Sequence, residues 1–299
     1  MADRAKIGIV GAGLMGHGIA QVFALAGHSV TVFDPDAASL ASLRERIGRN
    51  LTDLDQDAAA VERVTPCETL EATVASADVV FEAAPEKLPL KQQIFAELER
   101  LAPKDALLAS NTSVIQIGRI MERVSTRARV MGTHWWNPPY LVPLVEVIGT
   151  TGTTPAAIGK MIALLAAVGK TPVHVKKDVP GFVGNRLQHA LWREAIALVQ
   201  DGICDARTVD TVVKASFGRR LAVLGPLENA DLVGTDLTLD IHENVLPHID
   251  HTPGPLPFLR KLVESGKLGM KTGEGFRAWT KEEEAELRRR VLDHLKKST

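Results

Sequence analysis

Cysteine is almost missing from this chain: among 299 residues only Cys67 and Cys204 occur. Two thiols exclude a disulfide scaffold and suit the reducing cytosol, so a cytoplasmic protein is expected. An excess of one charge is missing too. Lys and Arg number 35 against 36 for Asp and Glu, which leaves no electrostatic footprint for nucleic acid or an anionic membrane. Nor is there a long hydrophobic run: no stretch approaches the roughly 20 apolar residues that span a bilayer, and no apolar signal core precedes the first strand. What remains is 45% hydrophobic and 24% charged. That is an ordinary globular composition, long enough for one or two domains with a full core.

Apolar runs at 6–10 (KIGIV), 28–34, 77–84, 106–110, 128–132, 143–148 and 171–175 read as strands. Helical patterns lie between most of them, and Gly27 reads as the left-handed stop of the first helix. Strands alternating with helices predict a mostly parallel α/β sheet covered on both faces. After KKDVPGF (176–182) the apolar residues recur at helical spacing and no further strand is predicted. The expected organisation is an α/β domain over 1–178 and an all-α domain over 179–299. In the last helical segment, Thr280 and Glu283 have the spacing of a capping box.

Gly11, Gly13 and Gly16 form G-x-G-x-x-G between a strand and a helix, with Leu14 and Met15 in the same turn. In that context the first glycine permits the tight turn and the second lets backbone approach a pyrophosphate. The third lets helix and strand pack, with phosphate at the helix N-terminus. Asp34 ends the next strand, at the spacing of about 20 residues expected for an acid that accepts from ribose hydroxyls. A carboxylate there repels the 2′-phosphate of NADP, so NAD is the expected cofactor. FAD shares the fingerprint, and a glycine-rich turn without ligand is the plain structural reading.

GTHWWNPPYLVPLVEV (132–147) places His134 and Glu146 in apolar company, at the end of one strand and within the next. A dehydrogenase acting on an alcohol needs a base for the hydroxyl proton, and neutral imidazole suits this. A carboxylate on the other ring nitrogen fixes the tautomer and stabilises imidazolium. A His at a strand end also reads as an ordinary structural residue. An acid in LVEVI is harder to dismiss, because acids are rarely buried unpaired. No metal ligand set is assigned.

GAGLMGHGIA, SNTS (110–113), HWWNPP, LVEVI, DVPGFVGNR and KLGMKTGEGF occur in the order found in the L-3-hydroxyacyl-CoA dehydrogenase family, which the chain resembles over nearly its whole length. The resemblance implies a Rossmann-type NAD domain and a helical dimerisation domain, with the active site in the cleft between them and a homodimer formed through the helical part. It implies His134 and Glu146 as the catalytic pair, with Ser113 and Asn185 at the substrate. It further implies cofactor contacts from Asp34, Glu86, Lys91, Ser113, Asn137 and Lys271. Each also has a structural reading. Ser113 would cap the helix of VIQIGRI, and Glu86 and Lys91 would form a solvated first helical turn. Asn185 would hold the Pro180–Gly181 turn, and Lys271 would sit on a surface loop.

The proline-rich HWWNPPYLVPLVEV looks more like the short family members that act on small free acids. These are the gulonate and carnitine dehydrogenases and 5-formyl-3-hydroxy-2-methylpyridine-4-carboxylate 5-dehydrogenase. The segment where acyl-CoA enzymes carry a basic helical hairpin is short here and reads LRERIGRNLTDLDQDAAAVERV, without lysine. Arg44, Arg46 and Arg49 could still grip a CoA tail. The expected function is hydride transfer between NAD and a small 3-hydroxy acid or its thioester. Oxidation of a hydrated aromatic aldehyde and a crystallin-like NADH-binding protein without turnover are the alternatives. A lysine-dependent β-hydroxyacid dehydrogenase shares GLMG, but its G-x-x-G-x-G-x-x-x-K motif is not found here.

Overall fold

The computed structural model describes residues 4–297. Eight strands form one sheet in the order β3-β2-β1-β4-β5-β6-β7-β8. They are β1 (Lys6–Val10), β2 (Ser29–Phe33), β3 (Val64–Cys67), β4 (Val79–Glu82), β5 (Leu107–Ser110), β6 (Val130–Trp135), β7 (Leu144–Ile148) and β8 (Thr171–Val175). All neighbours are parallel except β6 and β7. The crossovers carry α1 (Leu14–Leu25), α2 (Ala37–Ala41), α3 (Leu43–Asp53), α4 (Leu70–Val74), α5 (Leu88–Leu101), α6 (Ile117–Ile120) and α7 (Pro155–Ala167).

Strands buried on both faces read as continuous apolar runs, and β4 and β5 are buried at every position. One core cluster gathers Phe23, Phe81, Trp135 and Met161, and the other gathers Val80, Phe95, Leu108 and Phe182. Trp135 meets Phe81 edge-on at 5.9 Å between ring centroids, so this indole is core packing. Gly27 ends α1 at φ 91°, as its sequence position predicts. β3 was not among the predicted strands. It is a four-residue edge strand with Pro66 inside it, which is tolerated because an edge leaves one row of N–H groups unneeded.

The chain divides into two compact units, Met1–Arg186 with Asp293–Thr299, and Leu187–Leu292. Most of α8 (Gly184–Gln200) belongs to the second, followed by α9 (Ala206–Ala215), α10 (Pro226–Val233), α11 (Thr235–Val245), α12 (Pro257–Glu264) and the start of α13 (Lys281–Lys297). No strand of the sheet comes from it; only isolated bridges at Gly269–Glu274 and Glu274–Ala278 pin its loop. The predicted capping box is present. Glu283 N–H donates to Thr280 Oγ1 at 3.1 Å, and Thr280 N–H donates to Glu283 Oε2 at 3.0 Å. Cys67 and Cys204 are free thiols.

Candidate active site

The turn after β1 is built by its three glycines, each for a different reason. Gly11 has φ 105°, and a side chain there would meet Ala83 O at 2.7 Å. At Gly16 a Cβ would lie 1.7 Å from Gly11 O, so helix and turn close only on glycine. At Gly13 a Cβ would meet nothing within 4 Å. That open space lies over the start of α1, which has no side-chain cap, so its first N–H groups are available to an anion. Leu14 is 64% exposed beside it, and Met15 packs against the first core cluster. Asp34 braces the turn: Ala12 N–H donates to Oδ2 at 2.6 Å and Asp36 N–H to Oδ1 at 2.9 Å. Each oxygen keeps a lone pair for a hydroxyl. A cradle shaped by a missing Cβ, uncapped N–H groups and a half-buried acid fit a dinucleotide.

His134 and Glu146 are opposite residues in the antiparallel β6–β7 ladder. His134 Nδ1 lies 2.7 Å from Glu146 Oε2, and the residues are only 4% and 1% exposed. The other carboxylate oxygen accepts from Val183 N–H at 2.9 Å and Gly184 N–H at 3.1 Å. Burial pushes the Glu146 pKa up, but the bonds from His134, Gly184 and Val183 outweigh it and hold the carboxyl below its ordinary range. The two N–H groups are aimed by Phe182, fully buried at φ 49°. A bulky residue in the left-handed region costs about 1–3 kcal/mol, which the packing around it must offset. Trp136 and Phe182 flank the imidazole at 5.2 and 5.6 Å between ring centroids.

Asn185 begins the chain of contacts leading away from this pair. Its Nδ2 donates to Ser113 O at 2.9 Å, so it ties α8 to the SNTS loop, while its Cβ lies beside Gly181. Ser113 does not cap a helix either. Thr112 Oγ1 accepts from Ile115 N–H at 3.0 Å, and Asp178 accepts from Ile117 and Gly118 N–H at 3.0 and 2.7 Å. Ser113 is exposed and its N–H donates to Glu86 Oε1 at 3.0 Å. Glu86 also accepts from the Thr112 hydroxyl and from Val114 N–H at 3.2 Å.

Lys91 is not a solvated lysine. Its side chain is 1% exposed, with the amine 2.7 Å from Glu82 Oε1 and 3.4 Å from Glu86 Oε2. Lys91 is thus occupied inside the protein by Glu82 and Glu86. Asn137 is exposed, just beyond β6, and the following Pro139 packs where a side chain on Gly18 of α1 would have to go, at 2.9 Å. Lys271 lies in the second unit, where it lines an apolar cavity of about 650 Å³. Sequence reasoning missed Glu82, Thr112, Asp178 and Phe182. The signal for Glu82 was available: an acid inside VVFEAA is the same anomaly that marked Glu146 in LVEVI.

The model of the 3-hydroxyacyl-CoA dehydrogenase NAD binding domain matches residues 6–179, and that of the C-terminal domain matches 181–279. The chain belongs to the 3-hydroxyacyl-CoA dehydrogenase family. It is an NAD-dependent dehydrogenase acting on CH–OH groups, with a Rossmann-type domain and a helical C-terminal part. Among its relatives, 5-formyl-3-hydroxy-2-methylpyridine 4-carboxylate 5-dehydrogenase of Mesorhizobium japonicum is 33% identical over 93% of this chain and 92% of the relative. L-carnitine dehydrogenase of Streptomyces griseus is 37% identical over 78% of this chain and 70% of the relative. A crystal structure of a 5-formyl-3-hydroxy-2-methylpyridine 4-carboxylic acid 5-dehydrogenase, described as an NAD+ dependent dismutase, has TM-score 0.91 at 31% identity, covering 98% of this chain and 97% of that one. The (S)-3-hydroxybutyryl-CoA dehydrogenase of Ralstonia eutropha has TM-score 0.76 at 31% identity, covering 93% of this chain and 100% of that one.

Proposed function

We propose that this dehydrogenase oxidises a small 3-hydroxy carboxylate, not a CoA thioester, with His134 and Glu146 as its catalytic pair. The observation that carries the catalytic reading is the 2.7 Å contact between the buried imidazole and the buried carboxylate. With Nδ1 held by Glu146, Nε2 is the nitrogen that takes the hydroxyl proton, and the carboxylate stabilises the imidazolium that forms. Ser113 Oγ and Asn185 bind the reacting oxygen. NAD, when bound, accepts the hydride. Asp34 receives the adenosine ribose hydroxyls, the Gly13 turn receives the pyrophosphate, and Asn137 and Lys271 add cofactor contacts.

The small-substrate reading is supported by the three arginines that could have gripped CoA. Arg44 is spent on Val64 O at 2.9 Å and Glu62 at 3.2 Å, and Arg49 on Glu45 at 2.6 Å. Arg46 holds Ala12 O and Ser39 O, both at 2.7 Å, so it serves the fingerprint turn. The names of the pyridine-carboxylate and carnitine relatives point the same way. A hydrated aromatic aldehyde carries the same H–C–OH group and presents one of its two geminal hydroxyls to the same base. The TM-score of 0.91 to the pyridine-carboxylate enzyme favours that as the second reading.

NAD-linked turnover across acetoacetyl-CoA, free 3-hydroxy acids, L-carnitine and pyridine aldehyde carboxylates tests both. Free acids or pyridine aldehydes should give the highest kcat/KM. Fastest turnover of acetoacetyl-CoA overturns the small-substrate reading. NADH binding with no turnover on any of them supports the non-catalytic alternative.

We also propose a homodimer formed through the second unit. Val223 is 84% exposed, Leu227 79% and Leu232 73%, a density of bare apolar side chains that a soluble surface rarely carries. Light scattering should give twice the 32.3 kDa chain mass, and Val223→Asp with Leu227→Asp should lower it.

A further inference from the structure

Parallel α/β sheets take their ligands outside the carboxyl ends of the strands, where the strand order reverses. Here that point lies between β1 and β4. Gly11 follows the first strand and Glu82 closes the second, and the two turns touch: a side chain at Gly11 would meet Ala83 O at 2.7 Å.

Three charged groups gather on the β4 side of this crevice. Glu82, 0% exposed, takes Lys91 Nζ and Ala84 N–H on Oε1, both at 2.7 Å, and the Ser110 hydroxyl on Oε2 at 2.6 Å. Lys91 also donates to Ala84 O at 3.2 Å and lies 3.4 Å from Glu86 Oε2. The Glu86 side chain is 35% exposed, so it forms the open end of the cluster. One ammonium thus serves two carboxylates, and the formal sum is one negative charge. The neighbouring Lys87 is exposed to solvent and appears in no ion pair with either acid among the described residues.

Anchoring Lys91 requires only one acid. The second acid, Glu86, is already held by the Thr112 hydroxyl and the Ser113 and Val114 N–H groups, so the cluster presents a surplus negative charge to the crevice that a cationic ligand there would gain from. The oxidised nicotinamide ring carries a positive charge that the reduced ring lacks. We propose that the Glu82–Lys91–Glu86 cluster discriminates between the redox states of the cofactor, its surplus negative charge favouring NAD+ over NADH. This rests on the reading that the nicotinamide end of NAD lies in this crevice near His134. The cluster then eases release of NADH after substrate oxidation.

The test compares affinities of the full-length protein for NADH, by fluorescence, and NAD+, by calorimetry. Glu82→Gln removes one charge while keeping the side-chain shape. It should weaken NAD+ about ten-fold more than NADH, the scale of a unit charge acting through part-buried protein. Ser110→Ala removes a hydrogen bond to Glu82 without changing charge and should leave the ratio of the two affinities unchanged. If Glu82→Gln does not fold, Glu86→Gln makes the same charge change at the exposed end and should shift the ratio the same way. Equal loss for both cofactor forms in the glutamine variants overturns the proposal and leaves the cluster a structural brace. Wild-type protein that binds neither form overturns the cofactor placement along with it.

Discussion

His134 and Glu146 stand directly opposite each other on antiparallel strands, with Nδ1 and Oε2 2.7 Å apart. The pairing depends on register, since a slip of one residue would turn either side chain to the other face of the sheet.

Replacing the imidazole tests its role directly. His134→Ala should lower kcat about a thousand-fold, the usual size of a general-base contribution, while the Kd for NADH stays within about two-fold of wild type. Unchanged kcat would remove His134 from the chemistry. Glu146→Gln should be damaging in a different way. Both carboxylate oxygens accept hydrogen bonds, one side from His134 and the other from Val183 and Gly184. An amide has a single acceptor oxygen; with that oxygen on the Val183 and Gly184 N–H groups, its NH2 donates to Nδ1 and forces the imidazole tautomer that carries its proton on Nε2, the nitrogen needed as base. Activity should therefore fall at least about a hundred-fold while unfolding free energy changes by less than about 1 kcal/mol.

Two glycine substitutions separate folding from cofactor binding. Gly13→Ala places a methyl where no protein atom lies within 4 Å, so Tm should hold while NADH affinity falls at least about ten-fold as the methyl occupies the phosphate cradle. Gly16→Ala drives a methyl to 1.7 Å from Gly11 O, so thermal stability should fall as well. Equal melting temperatures for the two variants would contradict the packing described.

Acid stability should carry the signature of two held carboxylates. At Glu86, burial pushes the pKa up, but the Thr112 hydroxyl, Lys91 and the Val114 and Ser113 N–H groups pull it further down, and Glu146 is likewise lowered. The unfolded chain therefore binds more protons than the folded one in the window just below about 4.5. Stability from both groups is complete above that pH and is lost as pH falls through the lower, folded values. Urea unfolding from pH 6 to pH 3 should show a steeper loss in wild type than in Glu86→Gln. Parallel curves would refute the assignment for Glu86.

At the other end of the scale, burial lowers the Lys170 pKa from 10.5 to about 8. Its amine donates to Pro139 O at 2.5 Å and Val142 O at 3.1 Å, and no acid pairs with it among the described residues. Here the unfolded chain holds the proton more tightly, so the wild-type protein gains stability as pH rises from about 8 to 10.5. Relative to Lys170→Met the gain should be about 1–2 kcal/mol, below the full value of the shift because the side chain is partly solvated. A flat difference between the two proteins over that range would count against a buried, unpaired amine.

Several parts of the site were legible before any coordinates. The glycine spacing picked out the tight turn after β1, and apolar runs located seven of the eight strands. A lone acid in LVEVI marked Glu146. Other parts were not, for reasons specific to each residue. Val64–Cys67 is short, carries Pro66 and lacks alternation, so nothing local announced a strand; pairing with β2 makes it one. Lys91 has the same local appearance whether solvated or buried, and only Glu82, nine residues earlier, determines which. Arg44, Arg46 and Arg49 read as residues that could grip a CoA tail, whereas two of them fasten to backbone carbonyls brought near by the fold.

Local sequence therefore determined what depends on neighbours along the chain: the turn that only glycine permits, the caps at Gly27 and Thr280, and the alternation of strand and helix. Tertiary structure decided what depends on partners far apart in sequence. It set which acid faces His134, which backbone N–H groups orient Glu146, and which lysine is buried between two carboxylates. The physical reason is that a charge or a hydrogen-bonding group has no fixed role until folding settles its solvation and its partners.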